Sequence, residues 1–509
     1  MKKTYIVVAS SIMLLFCLAY QGAYAYFTTS SVTEGNFNTD ISSGTISDLI
    51  ISDGNHVTSN NLIPGDSITN TFTVQNPNNL KVCFNLLWSD VVNEFINKAD
   101  LVITLTDQSG RVLVSNKSFP SANDEILAEN LSINGNTTNT YTLTITYKNT
   151  DQNQIADMGK TFSGTITGIP VTCQPTIADQ IIATVDTTGA CPVVNDDGTV
   201  QVTGIESENS YLCSAPDDYG TSYYYRGNVT NNYVKFGDYY WRILRINGDG
   251  SIRIIYDGTS AHANGESSED RQVGTSAYNS SYNDNAYVGY MYGTAGSDGY
   301  EATHANANDS TIKAYLDNWY KTNIEDKGLS SYISDTLFCN DRSLLHNTAQ
   351  DYAGQEFSNL GYGTEWTAYR WYGDPMVASM GDEYANLLTY PNLQCPNQND
   401  RFTVDDEVTG NGDLTYPIGL VNTDEVYLAG GYNTSNSGYY LYTGNSYWTM
   451  SPLNFIGGRA DVRSVYSNGS ALDNSGVDGS RGVRPTLNLI PDSLKVGSGT
   501  ADDPYRMTE

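Results

Sequence analysis

The residue types most able to do catalytic chemistry are sparse in this 509-residue chain. Its four histidines lie far apart, at positions 56, 262, 304 and 346, and none belongs to a His-Glu-x-x-His motif. A catalytic zinc site usually needs several such ligands at fixed spacing. The chain also has no Gly-x-Ser-x-Gly turn, which presents a serine nucleophile in many hydrolases. We therefore expect no catalytic residues and no enzyme activity.

Carboxylates are abundant, with 57 Asp and Glu. Two of them about 5–10 Å apart could support glycoside hydrolysis. In so acidic a chain, however, some pairs come close by chance. A secreted hydrolase is therefore the least favoured of the alternatives.

Hard oxygen ligands suited to calcium cluster in three stretches. They are Asn195-Asp196-Asp197-Gly198, Asn247-Gly248-Asp249-Gly250 and Asp405-Asp406-Glu407. None has the spacing of an EF-hand loop, and such clusters also form ordinary turns. Calcium stays an open alternative at this point, and no other cofactor is indicated.

Aromatic residues in polar surroundings suggest a glycan-binding surface in the C-terminal half. The candidates are Trp366, Tyr369, Trp371 and Tyr372. Aromatic faces can stack on sugars, and tyrosine suits a wet recognition surface. Core packing is the alternative explanation for aromatic residues, and we expect it for Trp241, Trp319 and Trp448.

The N-terminus has the pattern of a secretory signal peptide over residues 1–25. Lys2 and Lys3 precede an apolar stretch, and Ala23-Tyr24-Ala25 offers the small residues that signal peptidase requires. The apolar stretch is short for a membrane span, although an uncleaved anchor is the alternative. We expect a secreted protein, extracellular or on the cell surface, whose only membrane contact is through this segment.

The formal net charge of −31 limits the partners of the chain. Nucleic acids and anionic bilayers both require clustered Lys and Arg, so neither is an expected partner. The charge is consistent with solubility outside the cell.

Cysteine usage indicates disulfides. Cys17 belongs to the signal peptide, which leaves Cys83, Cys173, Cys191, Cys213, Cys339 and Cys395. An even number in a secreted chain favours disulfide pairing, while several connectivities stay open. Sequential pairing is the simplest, because each bridge then lies within one predicted domain.

These residues are carried by a mostly β chain with two domains. Alternating segments such as Thr71–Gln75 and Tyr141–Tyr147 predict a β-sandwich over residues 26–170. We expect a linker with a small disulfide hairpin at 171–221 and an α+β domain at 222–509. The strongest hairpin signal is the Asn247–Gly250 turn. The stretch Tyr439–Pro485 is predicted to supply the central strand of the second domain, ending at Ser451-Pro452.

Short motifs in the N-terminal domain match a known family. They are Ala25-Tyr26-Phe27, Gly35-Asn36-Phe37, Pro64-Gly65-Asp66 and Phe72-Thr73-Val74-Gln75-Asn76. Over about residues 20–170 the chain resembles the TasA/camelysin family of secreted Gram-positive proteins, which build biofilm-matrix fibres on a jelly-roll scaffold. The resemblance implies a matrix role and self-assembly by donor-strand exchange through the N-terminal segment. Cys83, Cys173 and the long C-terminal extension depart from the family pattern.

Three motifs in the second domain carry another resemblance. They are Tyr240-Trp241-Arg242-Ile243, Tyr447-Trp448-Thr449-Met450-Ser451-Pro452 and Gly482-Val483-Arg484-Pro485. The domain resembles those of uncharacterised Gram-positive surface proteins and, distantly, the C-type-lectin-like fold of formylglycine-generating enzymes. The catalytic cysteine pair of those enzymes has no match here, so the resemblance implies the fold without the activity.

The sequence therefore predicts a secreted, non-catalytic structural or adhesive protein of a Gram-positive cell surface or matrix. Its expected partners are matrix or cell-surface components, including glycans, and further copies of itself. A glycan- or calcium-binding surface module is the alternative.

Overall fold

The computed structural model describes residues 49–53, 62–78, 81–108, 112–150, 154–157, 160–297, 300–342, 371–372, 388–456, 458–471 and 473–508. The chain divides into two compact units, Met1–Gln174 and Pro175–Glu509, which we call the N-terminal unit and the C-terminal unit. Strands predominate, and the predicted mostly β fold is confirmed. The predicted signal peptide lies outside the described residues.

The N-terminal unit contains eight described strands in two antiparallel sheets. Their bounds are β1 (Ile50–Asp53), β2 (Ser67–Asn76), β3 (Val82–Asn93), β4 (Leu101–Asp107), β5 (Val112–Ser118), β6 (Ile126–Ile133), β7 (Thr137–Tyr147) and β8 (Phe162–Val171). One sheet has the order β1-β2-β7-β4-β5, and the other has the order β6-β3-β8.

Alternating burial explains why these strands form two layers. Every second residue of β2 is buried, because successive side chains of a strand point to opposite faces of the sheet. Both sheets contribute to one core, in which the Phe119 ring packs 5.1 Å from those of Trp88 in β3 and Phe162 in β8. The arrangement is the β-sandwich that the sequence predicts, and its finer assignment as a jelly roll stays a prediction.

The strands of the C-terminal unit follow in chain order. They are β9 (Ser210–Asp217), β10 (Gly220–Gly227), β11 (Tyr233–Phe236), β12 (Tyr239–Ile246), β13 (Ile252–Gly258), β14 (Thr275–Ala277), β15 (Met291–Tyr292), β16 (Asn308–Asp309), β17 (Phe338–Cys339), β18 (Trp371–Tyr372), β19 (Leu388–Thr389), β20 (Arg401–Phe402), β21 (Tyr447–Ile456), β22 (Arg459–Val465), β23 (Asp473–Gly476), β24 (Ser480–Gly482), β25 (Thr486–Leu489) and β26 (Tyr505–Arg506). The described α-helices of this unit are short: α1 (Ile177–Ile182), α2 (Tyr300–His304), α3 (Thr311–Tyr320) and α4 (Thr423–Leu428).

The C-terminal unit begins earlier than the sequence suggests. Most of residues 171–221, expected to form a linker, belongs to this unit. Ile177 of α1 shares a core with Trp241, and β9 pairs with β10 along its whole length. The expected domain start at Ser222 therefore falls inside β10. The composition of this stretch resembles a linker, but the apolar surface that it buries makes it part of the core.

The hairpin predicted around Asn247–Gly250 is confirmed as β12 and β13. It lies at the centre of the main sheet, whose order is β25-β13-β12-β10-β9. A side chain at Gly248 would not fit, because its Cβ would lie 2.4 Å from the backbone nitrogen of Gly220. From Trp241 to Ile246 every residue of β12 is buried. Its two arginines therefore enter the core.

The C-terminal aromatic stretch differs from its predicted form. Residues 439–442 form a buried turn rather than a strand, and β21 continues through Pro452 instead of ending there. The pairing with β22 shifts register on both sides of Pro452, which lets the strand pass a residue without an N–H group. β21 is the middle strand of the sheet β14-β24-β21-β22-β23, as the sequence predicts.

The predicted sequential disulfides are confirmed. They join Cys83 to Cys173, Cys191 to Cys213 and Cys339 to Cys395. Disulfides persist in oxidising environments, so they are consistent with the extracellular location that the sequence predicts. No helix in the described ranges is long and apolar enough to cross a membrane.

Loss of the Cys83–Cys173 bond should destabilise the N-terminal unit. The bond spans a sequence separation of 90, for which the loop-entropy model gives about 4–5 kcal/mol. We expect Cys83→Ala with Cys173→Ala to lower the free energy of unfolding of this unit by that amount, measured by denaturant titration. Cys191→Ala with Cys213→Ala should act on the C-terminal unit instead. An unchanged N-terminal transition in the first variant would contradict the prediction.

Candidate functional site

In the C-terminal unit, buried arginine side chains surround a fully buried carboxylate, that of Asp257 at the end of β13. Arg271 donates hydrogen bonds to its Oδ1 from Nε at 2.9 Å and from Nη2 at 2.8 Å. Arg484 donates a third to the same oxygen from Nη2 at 3.0 Å. Both guanidinium groups are buried. These buried contacts give Arg484 a structural role.

A third buried arginine completes this cluster. Arg242 Nη1 lies 3.8 Å from Asp257 Oδ2, an oxygen that accepts no hydrogen bond from the protein. The Arg242 guanidinium also lies 3.9 Å from the centre of the Tyr233 ring, a cation–π contact. Three guanidinium groups thus share one carboxylate, and burial lowers the pKa of Arg242.

Backbone carbonyls offset the excess positive charge. Arg484 donates to the carbonyls of Tyr256 and Leu441, each at 3.0 Å, and Arg271 donates to that of Glu266 at 2.9 Å. Buried charges are costly unless they are paired and hydrogen-bonded, and these contacts meet that requirement. We call Asp257, Arg242, Arg271 and Arg484 the Asp257 cluster.

A second buried network is centred on Glu425 of α4. Its Oε1 lies 3.1 Å from Arg245 Nε and 2.6 Å from Arg253 Nε, which joins α4 to β12 and β13. Its Oε2 accepts a hydrogen bond from the Asn422 backbone N–H, as part of a capping box at the start of α4. Asp217 of β9 also pairs with Arg245, and its Oδ2 lies 2.8 Å from Arg245 Nη1. One carboxylate therefore caps a helix and pairs with two strands.

A third buried pair lies beside the Cys339–Cys395 bond. Arg342 Nε donates to Asp400 Oδ1 at 2.7 Å, and the Arg342 backbone N–H donates to Oδ2 at 3.0 Å. Burial raises the pKa of Asp400, although Arg342 opposes this effect. The disulfide and the ion pair together hold the two segments against each other.

The predicted glycan-binding residues lie largely beyond the described part of the chain. Trp366 and Tyr369 are outside it. Trp371 and Tyr372 form β18, which pairs in parallel with β19. The predictions for these four residues therefore stay predictions. Two of the tryptophans expected in the core, Trp241 and Trp448, are fully buried there, and Trp319 packs partly buried against it.

One aspartate in each of the three calcium candidate stretches accepts hydrogen bonds within its own turn. Asp197 Oδ1 accepts from the Thr199 N–H at 3.0 Å, and Asp249 Oδ1 accepts from the Ser251 N–H at 2.8 Å. Asp406 Oδ1 likewise accepts from Val408 and Thr409. Within the described ranges, no group of three or more His, Cys, Asp or Glu side chains is arranged to hold a metal ion. These contacts match the turn explanation, and calcium binding stays untested.

Sequence reasoning missed the charged networks. The available signal was the presence of Arg242, Arg245 and Arg253 inside otherwise apolar strands, since charged residues are rarely fully buried unless paired. Their acidic partners could not be chosen from 57 candidates without the fold.

The described structure defines a mostly β, disulfide-bonded protein, and two family models match parts of it. The camelysin metallo-endopeptidase family matches residues 1–101, and a domain of unknown function, DUF6273, matches residues 421–491. The first match agrees with the camelysin part of the resemblance seen in the sequence. Each match covers less than half of the chain, and neither supports the lectin-like resemblance, which stays a prediction.

Two solved structures show weak similarity to parts of the chain. A structure of AvmM, described as catalysing macrocyclization in alchivemycin A biosynthesis, is similar with 9% identity and a TM-score of 0.17, over 28% of this chain and 98% of that one. A family 123 glycoside hydrolase from Clostridium perfringens has 14% identity and a TM-score of 0.12, over 22% and 23%. No curated protein matches the chain.

The described residues do not fit the zinc site that the name metallo-endopeptidase implies. A catalytic zinc typically takes three protein ligands, most often including histidine. The matched stretch has a single histidine, His56, outside the described residues, and Cys83 is held in a disulfide. In the C-terminal unit both ring nitrogens of His262 contact carboxylates at 2.8 Å. We derive no metal-dependent step.

Removing the Glu425 carboxylate should destabilise the C-terminal unit strongly. It would leave the buried guanidinium groups of Arg245 and Arg253 short of a partner, which costs about 3–5 kcal/mol when a buried pair is broken. We expect Glu425→Ala to lower the free energy of unfolding by that amount in denaturant titration. Glu325→Ala is the matched control, because Glu325 pairs with Lys321 at an exposed site and such pairs contribute at most about 1 kcal/mol. Equal effects of the two variants would contradict the prediction.

Acid should weaken the C-terminal unit through Asp270. Burial opposes its ionisation, but hydrogen bonds from Ser268 and His262 outweigh this effect and lower its pKa from 3.8 to about 2. A carboxylate with a lowered folded-state pKa stabilises the fold above its unfolded pKa and loses that contribution as pH falls towards the folded value. We expect the stability difference between the wild type and Asp270→Asn to shrink as pH falls from about 4 to about 2. Urea titrations at several pH values measure it, and a constant difference would contradict this assignment.

Proposed function

We propose that the chain is a secreted, non-catalytic structural or adhesive protein of a Gram-positive cell surface or extracellular matrix. The observation that carries the proposal is the disulfide-bonded β-sandwich of the N-terminal unit, whose first three strands, β1 to β3, lie in the stretch matched by the camelysin family model. A two-layer β-fold with a covalent bridge suits a protein that must persist outside the cell.

The chemistry of the C-terminal unit supports a structural role. Asp257 and Glu425 are buried, and each is engaged by at least two arginines. A catalytic acid or base has to reach a substrate within hydrogen-bonding distance, which these buried groups are not placed to do. Their contacts instead join strands, a helix and loops into one core.

Self-assembly is the expected way in which such a protein would build a matrix. The resemblance to the TasA/camelysin family implies donor-strand exchange through the segment that precedes β1. The formal net charge of −31 opposes close packing of copies at low salt, so assembly should be favoured by screening. Matrix glycans and cell-surface components are the further partners that we propose.

Cell-surface retention tests the proposal. We expect the chain without residues 1–25 to sediment with cells or with matrix material and to form oligomers as salt is raised, measured by pull-down and sedimentation velocity. A variant that also lacks residues 26–48 keeps every described strand, since β1 begins at Ile50. It should fold but assemble less. A wild-type chain that stays monomeric and binds neither cells nor matrix would overturn the proposal.

Two further assays separate the alternatives. Casein digestion with and without a chelator tests the peptidase activity that the family name implies, and we expect no cleavage in either condition.

A glycan array with and without calcium tests the binding-module alternative. Binding that Trp371→Ala abolishes, with the fold retained by circular dichroism, would favour that alternative over a purely structural role.

A further inference from the structure

A short segment that follows β13 ends in the Asp257 cluster. Residues 259–271, which we call the strap, send Arg271 into that cluster at their C-terminal end. Near the middle, Asn264 Nδ2 donates to Asn228 Oδ1 at 2.7 Å and to the Val229 carbonyl at 2.8 Å. The strap is thus held to the core, near its middle and at its C-terminal end, by groups that do not titrate near neutral pH.

Within the strap, a histidine lies between two carboxylates. His262 is buried, and its Nδ1 lies 2.8 Å from Glu266 Oε1. Its Nε2 lies 2.8 Å from Asp270 Oδ1 as an ion-pair contact. All three residues belong to the strap, so the imidazole ring closes the strap on itself.

The two carboxylates are held very differently. Asp270 also accepts hydrogen bonds from Ser268 Oγ and from the Thr259 N–H and hydroxyl. Glu266 accepts one other, from the Ala263 N–H at 3.1 Å, and its side chain is 47% exposed. Glu266 is therefore the partner that is free to move.

Other charged and titratable groups near the ring come from neighbouring strands and from the strap itself. Tyr233 of β11 donates its hydroxyl to the His262 carbonyl at 2.6 Å. Arg271 and Arg242 of β12 both pair with Asp257 of β13 in the Asp257 cluster. The acidic groups in direct contact with the imidazole ring are thus Glu266 and Asp270.

We propose that His262 is a pH-sensitive catch that closes the strap when the imidazole is charged and releases Glu266 when it is neutral. A carboxylate only accepts hydrogen bonds, so contact with one at each ring nitrogen needs an N–H on both. Neutral imidazole has one N–H and sets a nitrogen lone pair against the second carboxylate. Because Asp270 is better anchored, the neutral ring keeps Asp270 and loses Glu266.

The release is local. Arg271 and Asn264 keep the strap on the core, so the turn between His262 and Glu266 opens while the Asp257 cluster stays intact. The lowered pKa of Glu266, whose largest cause is the hydrogen bond with His262, agrees with a charge-assisted contact in the closed form.

Hydrogen exchange on the full chain tests the catch. Protection factors, which remove the intrinsic pH dependence of exchange, should fall about tenfold or more in peptides covering residues 260–268 as pH rises from about 5 to about 8, the interval in which histidine commonly changes charge. Peptides from β12 and β13 should show no such fall. The ¹⁵N shifts of the His262 ring should show both nitrogens protonated at the low end and only one at the high end.

Variants distinguish a pH-dependent contact of His262 from a general loss of stability in the strap. His262→Gln should give low protection of the strap at both pH values. Glu266→Gln should remove the pH step, because an amide can face either protonation state of the ring. His304→Gln, which changes another buried histidine, should leave the step in place. A wild-type strap whose protection does not change with pH, or a step that survives in Glu266→Gln, would overturn the proposal.

Discussion

The C-terminal unit depends on the burial of one carboxylate, that of Asp257. Its hydrogen bonds bind two arginines from distant parts of the chain, and a third arginine faces its other oxygen. A guanidinium in a protein interior is tolerated only when its charge and its N–H groups are satisfied. Strand β13, the strap and the turn before β25 must therefore come together for any one of them to be stable.

The Glu425 network also depends on the pairing of buried charges. It shows which segments of the chain have to fold together. Glu425 and Arg484 lie within the stretch that the DUF6273 model matches, but most of their buried charged partners are supplied by residues 217–271. The matched stretch would leave these charges exposed or unpaired on its own. We infer that the cooperative unit includes the β12–β13 hairpin.

The pairing of these buried charges also bears on the function that we propose. Charges committed to holding strands together are unavailable to a substrate, which agrees with the structural role that we propose. The catch that we propose at His262 is the exception, because one of its carboxylates, Glu266, is half exposed. A scaffold can thus be rigid at its core and still respond to its surroundings in one segment.

The sequence by itself determined the features that depend on neighbouring residues. Alternation predicted the strands, Asn247–Gly250 predicted the central turn, and the even number of cysteines predicted disulfides, with sequential pairing as the simplest of several connectivities. Only the tertiary structure decided that residues 171–221 join the second core, that β21 passes Pro452, and which acids pair with the strand arginines. Arg484 and Asp257 are 227 residues apart. Local patterns report periodicity and turn chemistry, whereas the partner of a buried charge is set by the path of the whole chain.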